Sequence, residues 1–244
     1  MNIETSFTVA AKELKVLRRK KSVIYYIVIL PLILSVLFSL IVQNDIFTSS
    51  GIPSNYSLGL ESLTYFFVIF AAILPGSIAA YSIVGEKVEK SLESLLATPT
   101  TDGEILLGKS IAAFVPPILA IWAGASIFMA ATDYITHGLL SYYYFPDWTS
   151  GVMLLLLAPL AAIFSIELSV IVSSRVSDVR GANQIGGLMF VPFMAMFLAG
   201  VEGTFTFNAG NLLDISGIVL IVDIVLFFLS ASIFKREEIL TKWK

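Results

Sequence analysis

The sequence has no cysteine and one histidine, His137, in 244 residues. Disulfides and thiolate metal sites are therefore excluded, and no multi-histidine metal site can form within one chain. Charge is scarce as well: 14% of the residues are charged, against about 25% in an ordinary soluble domain. The formal net charge of −3 hides an uneven distribution along the chain, and it is the apolar excess that argues against a nucleic-acid binder. A mean hydropathy of +0.89 rules out a disordered chain. Apolar residues make up 57%, more than a water-soluble core of this size absorbs.

Long apolar runs stand in place of what is missing. A helix needs about 20 mostly apolar residues to cross a hydrocarbon layer roughly 30 Å thick. Six runs qualify, at about 22–42, 63–84, 107–132, 149–173, 184–201 and 214–234. In lipid a backbone must satisfy its own hydrogen bonds, so each run is expected to be helical. None shows the alternation of a barrel strand. The first run is too long for a cleaved signal peptide and lacks a small-residue cleavage site. The expected fold is an all-α membrane protein, with residues 1–244 forming one transmembrane domain of six spans.

The charges orient it. With the N-terminus in the cytoplasm, all 15 Lys and Arg fall on inner segments. The outer loops, at about 43–62, 133–148 and 202–213, carry Asp45, Glu61, Asp133, Asp147 and Glu202 instead. That separation is the positive-inside pattern and places both termini in the cytoplasm. Tyr142, Tyr143, Tyr144 and Trp148 are expected at the outer membrane edge as headgroup anchors. Five of the six runs hold proline (Pro31, Pro75, Pro116 with Pro117, Pro159 and Pro192), which favours bent helices.

No inner segment is long enough for an independent core. The cytoplasmic face must therefore work through short helices. Residues 1–21 form the first. Phe7, Ala10, Ala11, Leu14 and Leu17 recur at helical spacing, with Lys12, Glu13 and Arg19 placed elsewhere; Arg18 belongs to the same expected helix. This predicts a helix in the interface plane, its basic residues facing anionic headgroups. Val9 and Val16 fall on the far side, and a plain basic flank that only sets topology is the simpler reading.

The second lies in the loop at 85–106. Val88, Leu92, Leu95 and Leu96 share one helical face, while Glu86, Lys87, Glu89, Lys90 and Glu93 take the other. Pro99 ends this helix and pushes Thr98 out of the α region. Thr101 and Glu104 then match a capping box for the next helix. The prediction is a short amphipathic helix over Glu86–Leu96, held between two spans by tight turns. It either rests on the lipid or docks on a cytoplasmic partner.

Gly103 to Ser110 (GEILLGKS) satisfies the phosphate-loop pattern, but the context is wrong. Such a loop follows a buried strand and wraps phosphate with backbone amides. Here a capping box precedes it and a membrane helix follows, and Glu104 would repel a nucleotide. Lys109 is expected to be an inner-interface anchor. No nucleophile–base pair or metal-protease motif occurs, so no catalytic residue is predicted. Two acids fall inside runs, Glu167 in the fourth and Asp223 in the sixth. Burying either ionised costs several kcal/mol, and no Lys or Arg within a span can pair with it. Both are candidates for a substrate, ion or proton pathway, against a protonated structural role.

The run from Gly85 to Pro99 (GEKVEKSLESLLATP), followed by Ile105-Leu106-Leu107-Gly108-Lys109, resembles the signature of type-2 ATP-binding-cassette (ABC) exporter permeases. The resemblance extends to the basic N-terminal helix and the six spans. It implies that two such permeases, identical or paralogous, pair with two copies of a cytoplasmic ABC ATPase. ATP and Mg²⁺ would be bound in that partner, with no cofactor or metal on this chain. It implies a connecting helix at the N-terminus. It also implies a coupling helix at about Glu86–Leu96 whose ATPase-facing residues would be Glu86, Val88, Glu89, Leu92, Glu93, Leu95, Leu96, Thr98 and Pro99. Substrate would move outward between the permeases, across the plasma membrane of a prokaryotic-type cell. Some members carry a large outer domain after the first span, whereas here that loop is about 20 residues.

The reading is a non-catalytic permease subunit of an ATP-driven exporter with lipid as its surroundings. The main alternative is a self-sufficient six-span carrier or channel using Glu167 and Asp223. An intramembrane enzyme and a pure scaffold are further alternatives.

Overall fold

The computed structural model describes residues 3–19, 21–48, 56–88, 101–139, 142–175 and 187–233. Among these there is no strand. The helices are α1 (Ile3–Arg19), α2 (Lys21–Thr48), α3 (Tyr56–Val88), α4 (Asp102–Thr136), α5 (Trp148–Val152), α6 (Ala158–Arg175), α7 (Val191–Val201) and α8 (Ala209–Ile233). A π-helical stretch, Met153–Leu157, joins α5 to α6 without a break, and a 3₁₀ turn, Gly187–Phe190, leads into α7.

Among the described residues five helices are long and apolar enough to cross a membrane: Val23–Ile46, Tyr56–Ser82, Gly103–Thr136, Trp148–Ser173 and Ala209–Ile233. Each contains one of the apolar runs or nearly all of it. Most outrun the run at their ends, because a helix that leaves the hydrocarbon can still satisfy its backbone with water and caps. The fifth run, expected at about 184–201, is described only from residue 187. Its apolar helical part, Leu188–Val201, is shorter than a straight crossing needs.

The helices contribute unequally. The most apolar stretch of α3 is 72% buried, against 28% for α2 and 17% for α8. α3 is thus the bundle's centre and α8 its rim. Around α3 pack Tyr65, Phe67, Phe128, Met153 and Leu157, all without solvent exposure. Phe38, Phe66, Phe67 and Phe128 form an aromatic cluster with centroids 5.4–6.1 Å apart, close enough for edge-to-face contact. In lipid there is no hydrophobic drive between helices, so close packing at small residues must hold them. Gly76 of α3 meets Ser165 and Ser169 of α6 in this way: a Cβ there would lie 2.9 Å from Ser169 Oγ and 3.0 Å from the Ser165 carbonyl oxygen. Gly124 of α4 gives the same close approach to the Pro31 carbonyl of α2, 2.8 Å from where a Cβ would sit.

Proline acts differently at each position. Pro31, Pro75, Pro116 and Pro117 lie inside long helices, as expected. Pro192 is in the first turn of α7, where its missing N–H has no helical acceptor anyway. It starts a helix instead of bending one. Pro159 follows the π stretch, in which the Ala158 N–H reaches the Met153 carbonyl five residues back. The next carbonyl in that register, Leu154, would need an N–H from residue 159, and proline has none. The Trp122 indole of α4 donates to it instead, at 2.8 Å.

At the end of the bundle remote from α1, Asp133 accepts from the backbone N–H groups of Tyr144 (3.0 Å) and Phe145 (3.1 Å). Asp147 caps α5 through Thr149 and Ser150. Tyr142, Tyr143 and Trp148 are exposed, as anchors must be. Tyr144 is not: it is half-buried, edge-on to Tyr56 at 6.1 Å, and burial raises its hydroxyl pKa above the ordinary tyrosine value.

Candidate coupling site and intramembrane acids

The expected coupling helix falls largely outside the described residues. Glu86 and Val88 belong to the last turn of α3, which runs on to Val88 without the break expected after residue 84. Glu89, Leu92, Glu93, Leu95, Leu96, Thr98 and Pro99 lie outside the described residues. On the far side of the loop the expected cap is present: the Thr101 N–H donates to Glu104 Oε2 at 3.1 Å and opens α4.

Described in full is the seat of the N-terminal helix. The buried face of α1 is Ser6, Ala10, Glu13 and Leu17, spaced four, three and four residues apart. This differs from the face read from apolar spacing. Leu17 and Ala10 are on it, Leu14 is half-buried beside it, and Phe7 is 59% exposed. Arg18 and Arg19 are exposed, as a headgroup-facing edge requires. Glu13, placed on the polar side by its charge, is turned inward instead. The reason is across the contact. Glu13 Oε1 accepts from Lys109 Nζ of α4 at 3.2 Å, and both side chains are buried. Glu13 Oε2 accepts from the Ser82 hydroxyl of α3 at 3.1 Å, and Lys109 also donates to Ser82 Oγ at 3.0 Å. Three helices thus meet in one closed polar knot. Next to it, Leu17 packs with Ile78 of α3, Ile105 and Leu106 of α4 and Ile166 of α6 in a second apolar cluster.

Gly108 explains how α1 gets so close. A Cβ there would lie 2.7 Å from the Ser6 carbonyl oxygen and from Val9 Cβ. Val9, a misfit to a lipid-facing stripe, is thus part of the α1–α4 contact. The Gly-Lys step of the apparent phosphate motif therefore has a mechanical use: glycine admits the helix and lysine bonds it. The whole motif, Gly103 to Ser110, is regular helix inside α4, so no loop of amides exists to hold phosphate. Lys109 is a buried structural partner, not the snorkelling anchor expected.

A family model for ABC-2 family transporter proteins matches residues 7–235. The chain belongs to the ABC-2 transporter family. It is a membrane transport component, a multi-pass permease by family and by its apolar helices. No individual curated protein matches it significantly.

The permease also carries the two acids within its helices. Glu167 of α6 and Asp223 of α8 are both buried, 7% and 4% exposed. Glu167 Oε2 and both carboxyl oxygens of Asp223 have no hydrogen-bond partner among the described residues. Asp223 belongs to the buried stripe of α8 with Leu212, Ser216 and Ser230. On α6, Glu167 sits two positions from both Ser165 and Ser169, which face α3, and so points to another side of the helix. Sequence reasoning singled out both acids but missed Glu13, Ser82, Gly108 and Lys109 as a unit. The available signal was one acid in register with Ala10 and Leu17, and one lysine at the start of an apolar helix.

Proposed function

We propose that this chain is the permease subunit of an ATP-driven exporter. Two permeases, identical or paralogous, would pair with two cytoplasmic ABC ATPase subunits that bind ATP and Mg²⁺. The reading has six spans, the fifth run supplying the sixth crossing, with both termini in the cytoplasm of a prokaryotic-type cell and the permease in its plasma membrane. The observation that carries it is the extent of the family match, which takes in most of α1, the 85–106 loop and every long helix.

The mechanism follows from how the inner elements are joined. The amphipathic helix at Glu86–Leu96 docks on the ATPase through Val88, Leu92, Leu95 and Leu96. Closure of the ATPase dimer around ATP pushes that helix, which lies in sequence between α3 and the capped start of α4. The knot of Glu13, Ser82 and Lys109 ties α1 to both helices, so the three move as one body. Rocking of this body opens the pathway alternately inward and outward, and Glu167 and Asp223 line or flank it. The unpartnered acids also fit a self-sufficient carrier, and the same experiment separates the two.

The test is affinity purification of the tagged full chain from its native membranes, with ATP hydrolysis measured in the eluate. Leu92→Asp or Leu95→Asp is expected to leave insertion intact and to remove the hydrolysis. Hydrolysis that stays with both variants would eliminate the docking helix. Uphill solute movement by the chain reconstituted alone would establish the carrier instead.

A further inference from the structure

A cleft of about 310 Å³ opens between α4, α6 and α8, at the end of the bundle that carries α1. That volume is at the lower end of small-molecule sites. Its walls are almost wholly carbon, with Leu106 and Phe114 from α4, Ile166 from α6 and Phe227 from α8. Glu167, more than nine-tenths buried, lines it with an oxygen that lacks a partner among the described residues. Among the described residues no Lys, Arg or His lines it. Of the two serines on its wall, Ser230 already donates to the Phe227 carbonyl at 2.9 Å.

We propose that this cleft binds a small lipophilic organic cation, a substituted ammonium ion on an apolar body, with the Glu167 carboxylate as its counter-ion. A lone carboxylate in apolar surroundings is costly unless an opposite charge joins it. No described residue supplies one, and a cationic ligand does, displacing the proton that otherwise neutralises the group. A hydrated metal ion does not fit, because it demands several oxygen ligands and the walls offer carbon. A substituted ammonium ion is weakly hydrated, and its carbon body suits those walls. The rings of Phe114 and Phe227 add faces of the kind that attract such ions. The site does not depend on the exporter reading, since binding requires no ATPase.

The experiment titrates the purified full chain, in uncharged maltoside micelles, with benzyltrimethylammonium and with neopentylbenzene. The two ligands have the same shape, and only the first is charged. Saturable binding of the cation, at least tenfold tighter than the hydrocarbon, is expected. Glu167→Gln should erase that preference. Phe227→Leu, at an exposed position that tolerates change, should weaken the cation several-fold and leave the hydrocarbon unaffected. Equal binding of both ligands, no saturable cation binding, or an unchanged preference in either variant would overturn the proposal. Any of those results would leave ATPase docking through Leu92 untouched.

Discussion

Glu13 and Lys109 are 96 positions apart in sequence, yet their charged groups meet at 3.2 Å in the interior of the protein. This pair joins the N-terminal helix to the start of α4, and its energetics are asymmetric. Removing one partner takes the counter-charge from a buried ion, whereas removing both leaves only the Ser82 hydroxyl among carbon. Glu13→Ala or Lys109→Ala should each destabilise the protein by about 3–5 kcal/mol. The double replacement Glu13→Leu with Lys109→Met should recover most of that loss. Denaturant titration in detergent reads it, and a double variant no better than the singles would show that the pair is not the cause.

Gly108→Val should separate α1 from α4, because the atoms it meets include the Ser6 backbone, which cannot swing aside. The expected sign is faster tryptic cleavage at Lys12, Lys15 and Arg18, with the rest of the bundle still resistant. Limited proteolysis followed by mass spectrometry decides it.

Gly76→Leu should cost about 1–3 kcal/mol or more by overpacking the α3–α6 contact. Among the described residues outside its own helix, nothing lies within 4 Å of where a Cβ on Gly59 would sit. Gly59→Ala should therefore be neutral or gain up to about 1 kcal/mol. Thermal unfolding of the two variants side by side tests whether close approach, and not glycine as such, holds α3 in place.

Asp223 has two buried oxygens without partners among the described residues, an arrangement that costs stability. Asp223→Leu should stabilise the protein by roughly 1–3 kcal/mol and lower transport in cells. Lower stability in that variant would mean that the carboxyl has a structural partner.

The long helices were legible because lipid imposes a length and a composition that nothing else in the chain mimics. Their ends were less so: α3 begins at Tyr56, while the apolar run begins at about 63, since the first two turns need no lipid. The face of α1 was misread at Glu13 because periodicity sorts residues by polarity, and a buried ion pair breaks that rule on both helices at once. Its partner could not be seen from any local window. The two intramembrane acids were visible for the opposite reason, as isolated charges in apolar runs. The π stretch at Met153–Leu157 left only an indirect mark, Pro159, because a run of leucines reads alike on all sides.

The bond from the Trp122 indole to the Leu154 carbonyl reaches from α4 to the stretch before Pro159. Trp122 is one of three tryptophans, and the other two lie near the ends of helix or chain at positions 148 and 243. Its emission therefore reports on one interhelical distance deep in the fold. With Trp148→Phe and Trp243→Phe in place, a spectral shift on adding nucleotide and the ATPase would time the parting of α4 from the π stretch, using a fluorophore the protein already owns.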